Sequence, residues 1–149
     1  MDGGTAVTDI VIGAAIAVHR ELGPGLLEST VEACLVYELA ERGVAVERQK
    51  SLPVNYRGVR IDCGYRIDLL VGNEVVVELK AVEGVMPIHE AQMLTYLRLS
   101  GFHVGLLLNF NVLLMKDGIR RMVHEAHEAR RRNEWRHALL PPRSPRPPR

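Results

Sequence analysis

Two cysteines in 149 residues, Cys34 and Cys63, with no CxxC spacing between them, leave nothing from which to build a disulfide framework or a zinc site. Both lie in apolar or strand-like surroundings, and two reduced core thiols are expected. No apolar run approaches the length of a membrane span, because Glu, Arg or His interrupts every one. The N-terminal stretch MDGGTAVTDIVIGAAIAVHR is acidic at its start and has no basic region ahead of its short apolar run, which argues against a signal peptide. Aromatic residues make up 5% of the chain, so the basic C-terminal segment has no aromatic ladder on which bases would stack. No internal repeat is present. What remains is one domain's worth of ordinary soluble sequence, expected in the cytoplasm and without membrane contact.

The net charge of +1 hides an asymmetry. Residues 1–119 carry ten Lys or Arg against fifteen Asp or Glu, whereas residues 120–149 carry nine Arg against three Glu. The tail EARRRNEWRHALLPPRSPRPPR reads either as a phosphate-binding segment or as a solvated helix followed by a Pro/Arg stretch that does not pack. A boundary is therefore placed between a domain at 1–123 and a basic tail at 124–149.

Hydrophobic spacing predicts a helix capped at Thr8 or Asp9 and running through Ile10, Ala14, Val18 and Leu22. After Gly23-Pro24-Gly25 a second helix is expected from Leu26 to about Arg42, closed by Gly43. Strands follow at about 45–54, 59–71 and 74–82, with turns at Tyr56-Arg57-Gly58 and Gly72-Asn73. Pro87 opens a third helix that Gly101 closes, HVGLLLNF at 103–110 reads as a buried strand, and GIRRMVH as a strand at the sheet edge. The order α-α-β-β-β-α-β implies an α/β sandwich with a mixed sheet flanked by helices.

The stretch DLLVGNEVVVELK at 68–80 is where chemistry enters. A strand needing only to pack would not end its Val75-Val76-Val77 run with Glu78 and Lys80. A two-residue turn at 72–73 would pair Asp68 with Val77 and send Glu78 to the opposite face. A three-residue connection, Gly72-Asn73-Glu74, pairs Asp68 with Glu78. Asp68, Glu78 and Lys80 then share one face with Arg66 nearby, and Leu69, Val75, Val77 and Leu79 share the other. The second register sorts the apolar residues better and is the one expected.

Two carboxylates side by side repel each other unless a cation lies between them. Oxygen ligands of this kind suit Mg2+ or Mn2+, with water and substrate phosphate completing the shell. An adjacent Lys orients or deprotonates a water for attack on phosphorus. Gln92 and Tyr96, four apart in HEAQMLTYLRL, share a helical face; Gln92 is placed to bond phosphate or the Lys, or to sit at the rim, and Tyr96 to flank the site or to pack.

Asp68, then Glu78-Leu79-Lys80, then Gln92-x-x-x-Tyr96, resembles the PD-(D/E)xK nuclease superfamily, notably its RecB-like branch with a Q-x-x-x-Y helix. More closely, HRELGPGLLEST at 19–30, GYRIDLLV at 64–71, VELKAVE at 77–83 and IHEAQMLTYLRLSG at 88–101 look like the GxxExxY protein family, over about residues 8–123. That family's name motif falls on Gly25, Glu28 and Val31. Val31 stands where the family has Tyr, which removes a hydroxyl but suits the inward stripe of the second helix.

The resemblance implies a restriction-endonuclease-like core. It implies that Asp68, Glu78 and the Leu79 backbone carbonyl bind the metal, that Lys80 positions the nucleophilic water, and that Glu28 and Gln92 tune or orient it. Glu28 equally suits the positive end of its helix. Tyr96, Arg66 and His19 are the candidate substrate contacts. Arg66 alternatively pairs with Asp68 or Glu78, and His19 and His89 alternatively serve as hydrogen-bonded structural residues. The expected activity is metal-dependent hydrolysis of nucleic-acid phosphodiesters, DNA before RNA, with recruitment through the Arg-rich tail, a homodimer or a protein partner. A nuclease-fold accessory module with weak or lost catalysis is the alternative, which the acidic body favours.

Overall fold

The computed structural model describes residues 5–124. Its elements run α1 (Thr5–Leu22), α2 (Glu28–Glu41), β1 (Val46–Ser51), β2 (Val54–Tyr56), β3 (Val59–Ile61), β4 (Arg66–Val71), β5 (Val75–Lys80), α3 (Pro87–Ser100), β6 (Val104–Asn109), a 3-10 turn (Met115–Gly118) and β7 (Ile119–Val123). The tail expected over 124–149 lies, from residue 125 on, outside the described residues.

Five strands form one sheet in the order β1-β4-β5-β6-β7, and β2 and β3 form a separate two-stranded ribbon. Only β5 and β6 are parallel, joined by the α3 crossover; the other neighbours are antiparallel. The sheet is therefore mixed and flanked by helices on both faces, a restriction-endonuclease-like α/β architecture. One face packs Leu69, Val71, Val75, Val77, Leu79, Leu106 and Leu108 against α1 and α2. The other packs Ile67, Leu70, Val76 and Leu107 against Met93, Tyr96 and Leu97 of α3. Burial of β6 on both faces explains its unbroken apolar run. Gly105 of β6 is small because Met93 of α3 rests where a Cβ would stand.

The elements differ from expectation in three places. The first helix starts at Thr5, so Thr8 and Asp9 are interior rather than capping. Val7 packs into the core, and tertiary burial extends the helix past the local cap signal. The strand expected at 45–54 divides at Leu52-Pro53, where Pro53 has no N–H to donate, and the one expected at 59–71 divides around Gly64, whose φ is +80°. Cys63 lies in that second break and is exposed, so only Cys34 packs against the core. Val31, by contrast, is buried in the stripe of α2 as expected.

The close of α2 follows its sequence signal. Gly43 (φ +77°) donates to Ala40 O and Val44 N–H to Leu39 O, a paired C-terminal cap. The Gly72-Asn73-Glu74 connection is the three-residue one: Val71 lies opposite Val75 and Leu69 opposite Val77. Gly72 and Asn73 are both left-handed, and Glu74 N–H donates to Val71 O.

Candidate functional site

Continuing the β4–β5 register by one pair places Asp68 opposite Glu78, yet there the ladder stops. Side chains take over from backbone. Asp68 N–H donates to Glu78 Oε1 at 3.0 Å, and Leu79 N–H donates to Asp68 Oδ2 at 2.8 Å. Each carboxyl is thus fixed by one oxygen to the neighbouring strand's backbone.

Glu78 is 5% exposed, as closed to solvent as the leucines around it. Burial, and then the negative charge of Asp68, pushes its pKa from 4.5 up to about 9; Lys80 pulls the other way but does not win. Without a cation, Glu78 keeps its proton at neutral pH.

α3 covers this pair. Gln92 Nε2 donates to the Tyr96 hydroxyl at 3.0 Å. The Tyr96 ring is buried, and its hydroxyl pKa is raised by burial and by the charges of Glu78 and Asp68, which places it beside both acids. Tyr65, three residues before Asp68, tilts against Tyr96 with ring centroids 6.2 Å apart. From the other side, Glu28 at the first turn of α2 reaches over the end of β5, where its Oε1 accepts from Ala81 N–H at 3.1 Å. Lys80, half-buried, stands on β5 between Glu78 and that contact.

Asp68, Glu78, Lys80, Glu28, Gln92 and Tyr96 therefore gather at one end of the sheet. Arg66 opens β4 at the same end and is exposed. His19 does not join them. Its Nε2 lies 2.7 Å from Val112 O and its ring tilts against Phe110, on the α1 face of the sheet. His89 has a local task as well, its Nδ1 accepting from Met86 N–H to close the start of α3.

Three residues escaped the sequence reading. Gln49 of β1 lies opposite Asp68 at the one position missing from the β1–β4 ladder, and its φ is +49°, left-handed for a non-glycine residue. Its Nε2 donates to Glu32 Oε1 at 2.6 Å and stands 3.5 Å from Asp68 Oδ1. Glu32, also bridged by Arg48, follows Glu28 by one helical turn, and that spacing was the only signal for it. Asn109 ends the apolar run of β6, accepts from Val82 N–H and donates to Val82 O, and so ties the end of β6 to the segment after Lys80. A polar residue closing a buried strand was the available clue. Nothing in the sequence marks Gln49.

Among the described residues, no group of three or more His, Cys, Asp or Glu side chains surrounds one point. The donors here are two carboxylates and the Leu79 carbonyl, which strand alternation points toward β4 alongside the Leu79 N–H. Such an oxygen-only set is what Mg2+ or Mn2+ takes when water and phosphate fill the rest of the shell. An acid pair forced to retain a proton by burial is what a dication would relieve. The residues fit a hard divalent ion.

No helix among the described residues is long and apolar enough to cross a membrane. No curated protein and no solved structure matches the chain. The family model of the PD-(D/E)XK nuclease superfamily matches residues 5–122, from the first turn of α1 to the last strand and across every element that builds the acid pair. The chain belongs to the PD-(D/E)XK nuclease superfamily.

Proposed function

We propose that the protein is a metal-dependent nuclease that hydrolyses phosphodiester bonds, with DNA the expected substrate. The observation that carries this reading is the carboxyl pair Asp68–Glu78 at the point where β4 and β5 part, with Lys80 two residues on. A protein that needed only a stable sheet would place apolar side chains there, since a buried acid pair costs stability. The motif similarity at 19–30 and 64–101 supports a finer place in the GxxExxY group.

In this reading Asp68, Glu78 and the Leu79 carbonyl hold Mg2+ or Mn2+, which when bound supplies Lewis-acid stabilisation of charge developing on the phosphate. Lys80 presents its ammonium to the attacking water and to a non-bridging phosphate oxygen. Glu28 has one carboxylate oxygen fixed by Ala81 N–H and a second able to accept a hydrogen bond from that water. Gln92 and Tyr96 wall the site on the α3 side, and Arg66 offers a bidentate phosphate contact at its mouth. His19, committed to Val112 O, serves α1 packing instead.

Purified protein with Mg2+ or Mn2+ is expected to nick or degrade DNA, and Glu78→Ala or Lys80→Ala to abolish this. Cleavage surviving both substitutions defeats the reading. A second reading, a nuclease-fold binding module without catalysis, draws on the acidic excess over residues 1–119, a poor match to a polyanion. Nucleic-acid binding without cleavage in either metal would select it.

A further inference from the structure

The β2–β3 ribbon is the part of the described chain that the fold does not use. Val54 lies opposite Ile61, Asn55 opposite Arg60 and Tyr56 opposite Val59, and none of these residues belongs to either apolar cluster. Tyr56, Val59 and Ile61 are 57%, 59% and 41% exposed, on a two-stranded element of a kind that is marginal by itself.

Its placement is specific. Leu52 N–H donates to Tyr65 O and Ser51 lies opposite Arg66, so the ribbon leaves the sheet as a prolongation of the β1–β4 ladder at the end holding Asp68. Ile61 is seven residues from Asp68, a span of at most about 24 Å of extended chain. Tyr65 at the ribbon's base tilts against Tyr96, which borders the acids.

Its chemistry is cationic on a body that is otherwise acidic. Arg57 sits at the tip, with its guanidinium 5.5 Å from the centre of the Tyr56 ring. It is left-handed there (φ +52°) beside Gly58 (φ +79°), a turn position that favours Asn or Gly and that costs an Arg about 1 kcal/mol. Arg60 follows on β3, held among the described residues only by an exposed contact of 3.4 Å with Asp62, a pair too open to solvent to retain it. Arg66 continues the same line toward the acids.

We propose that the β2–β3 ribbon is a nucleic-acid-binding arm, in which Arg57 and Arg60 contact backbone phosphates of the strand that enters the Asp68–Glu78 site and Tyr56 and Tyr65 supply flat contact surface. A two-stranded ribbon is an element that a duplex groove admits. At roughly 3.4 Å per base along a duplex, the base of the arm meets phosphates within about seven base pairs of the scissile bond. This inference deepens the nuclease reading by naming how the substrate is held, and binding tests it apart from cleavage.

The experiment titrates full-length protein, metal-free, into a fluorescent 30-base-pair DNA duplex and into a 30-nucleotide single strand at several salt concentrations. Arg57→Ala/Arg60→Ala is expected to weaken binding about tenfold at low salt. Its slope of log affinity against log salt is expected to fall by about 1.8 for the duplex or about 1.4 for the single strand, because two phosphates keep the counterions that the arginines would displace. Arg57→Lys/Arg60→Lys is expected to keep the slope, and Mn2+ affinity to stay at the wild-type value in both variants. An unchanged slope in the Ala variant overturns the proposal, as does a wild-type protein that binds neither probe. So does a loss of self-association in sedimentation with DNA binding unaltered, which would make the ribbon a contact between copies. Failure of cleavage with the expected slopes intact would remove the nuclease reading and leave the arm standing.

Discussion

Glu78 and Leu79 are consecutive on β5, 5% and 2% exposed, and point to opposite faces of one sheet. Leu79 faces α1 and α2, where it packs in an apolar cluster and burial contributes about 1.5–3 kcal/mol. Glu78 faces the α3 side, where burial lifts its pKa to about 9 and a second acid stands beside it. Equal burial thus has opposite signs on the two faces. One face of β5 is apolar to its end, and the other passes from Val76 in the second core to an acid that burial keeps protonated. Stability and chemistry are separated by a single alternation of the strand.

The largest expected effect breaks the second face. Lys80→Ala is expected to lower metal-dependent cleavage of DNA by at least about 100-fold, the scale of losing one preorganised charge donor, with little change in thermal midpoint. A cleavage rate within a few fold of wild type would remove Lys80 from the chemistry. On the first face, Leu79→Ala is expected to cost about 2–5 kcal/mol in denaturant unfolding, because the cavity lies between sheet and helices that cannot collapse.

The pH dependence of metal-free stability sharpens the contrast. A carboxyl whose folded pKa is raised binds a proton in the native state that the unfolded chain has released. Its contribution is therefore full below about 4.5 and is lost as pH climbs toward about 9, on the order of a few kcal/mol. Glu78→Gln is expected to flatten this decline, and added Mg2+ to flatten it in the wild type but not in the variant. A metal-free stability that rises between pH 5 and 9 would contradict the burial of Glu78.

The smallest effect concerns the strand beside the pair. Gln49→Gly is expected to relieve left-handed backbone worth about 1 kcal/mol while weakening Mn2+ binding several fold, because the bond that steadies Asp68 Oδ1 is removed. Retained Mn2+ affinity in a calorimetric titration would show that Gln49 is merely strained.

The register of β4 against β5 was legible because it is a local matter. Gly72 and Asn73 tolerate left-handed backbone, and only a three-residue connection puts Leu69 on the face that Val75, Val77 and Leu79 share. The closures of α2 and α3 by Gly43 and Gly101 were legible for the same reason. Two long strands were expected where the chain makes four. Local propensity favoured continuation through Leu52 and Asp62, and the breaks at Pro53 and Gly64 count only once the ribbon is seen to leave the sheet. Thr8 and Asp9 misled because a capping signal is local and the burial of Val7 is not.

By itself the chain determined the order of its helices and of the strands in the main sheet, the register that sets Asp68 against Glu78 and the turn of α3 that carries Gln92 and Tyr96, all set by turn chemistry and side-chain periodicity over short stretches. Tertiary structure decided which of the candidates meet. It sent His19 to Val112 and Glu28 to Ala81, and it brought Gln49 to Asp68 from another strand, with Glu32 of α2 bonded to Gln49. Meetings between segments far apart in the chain depend on how helices lie across a sheet, and no spacing along one strand records that.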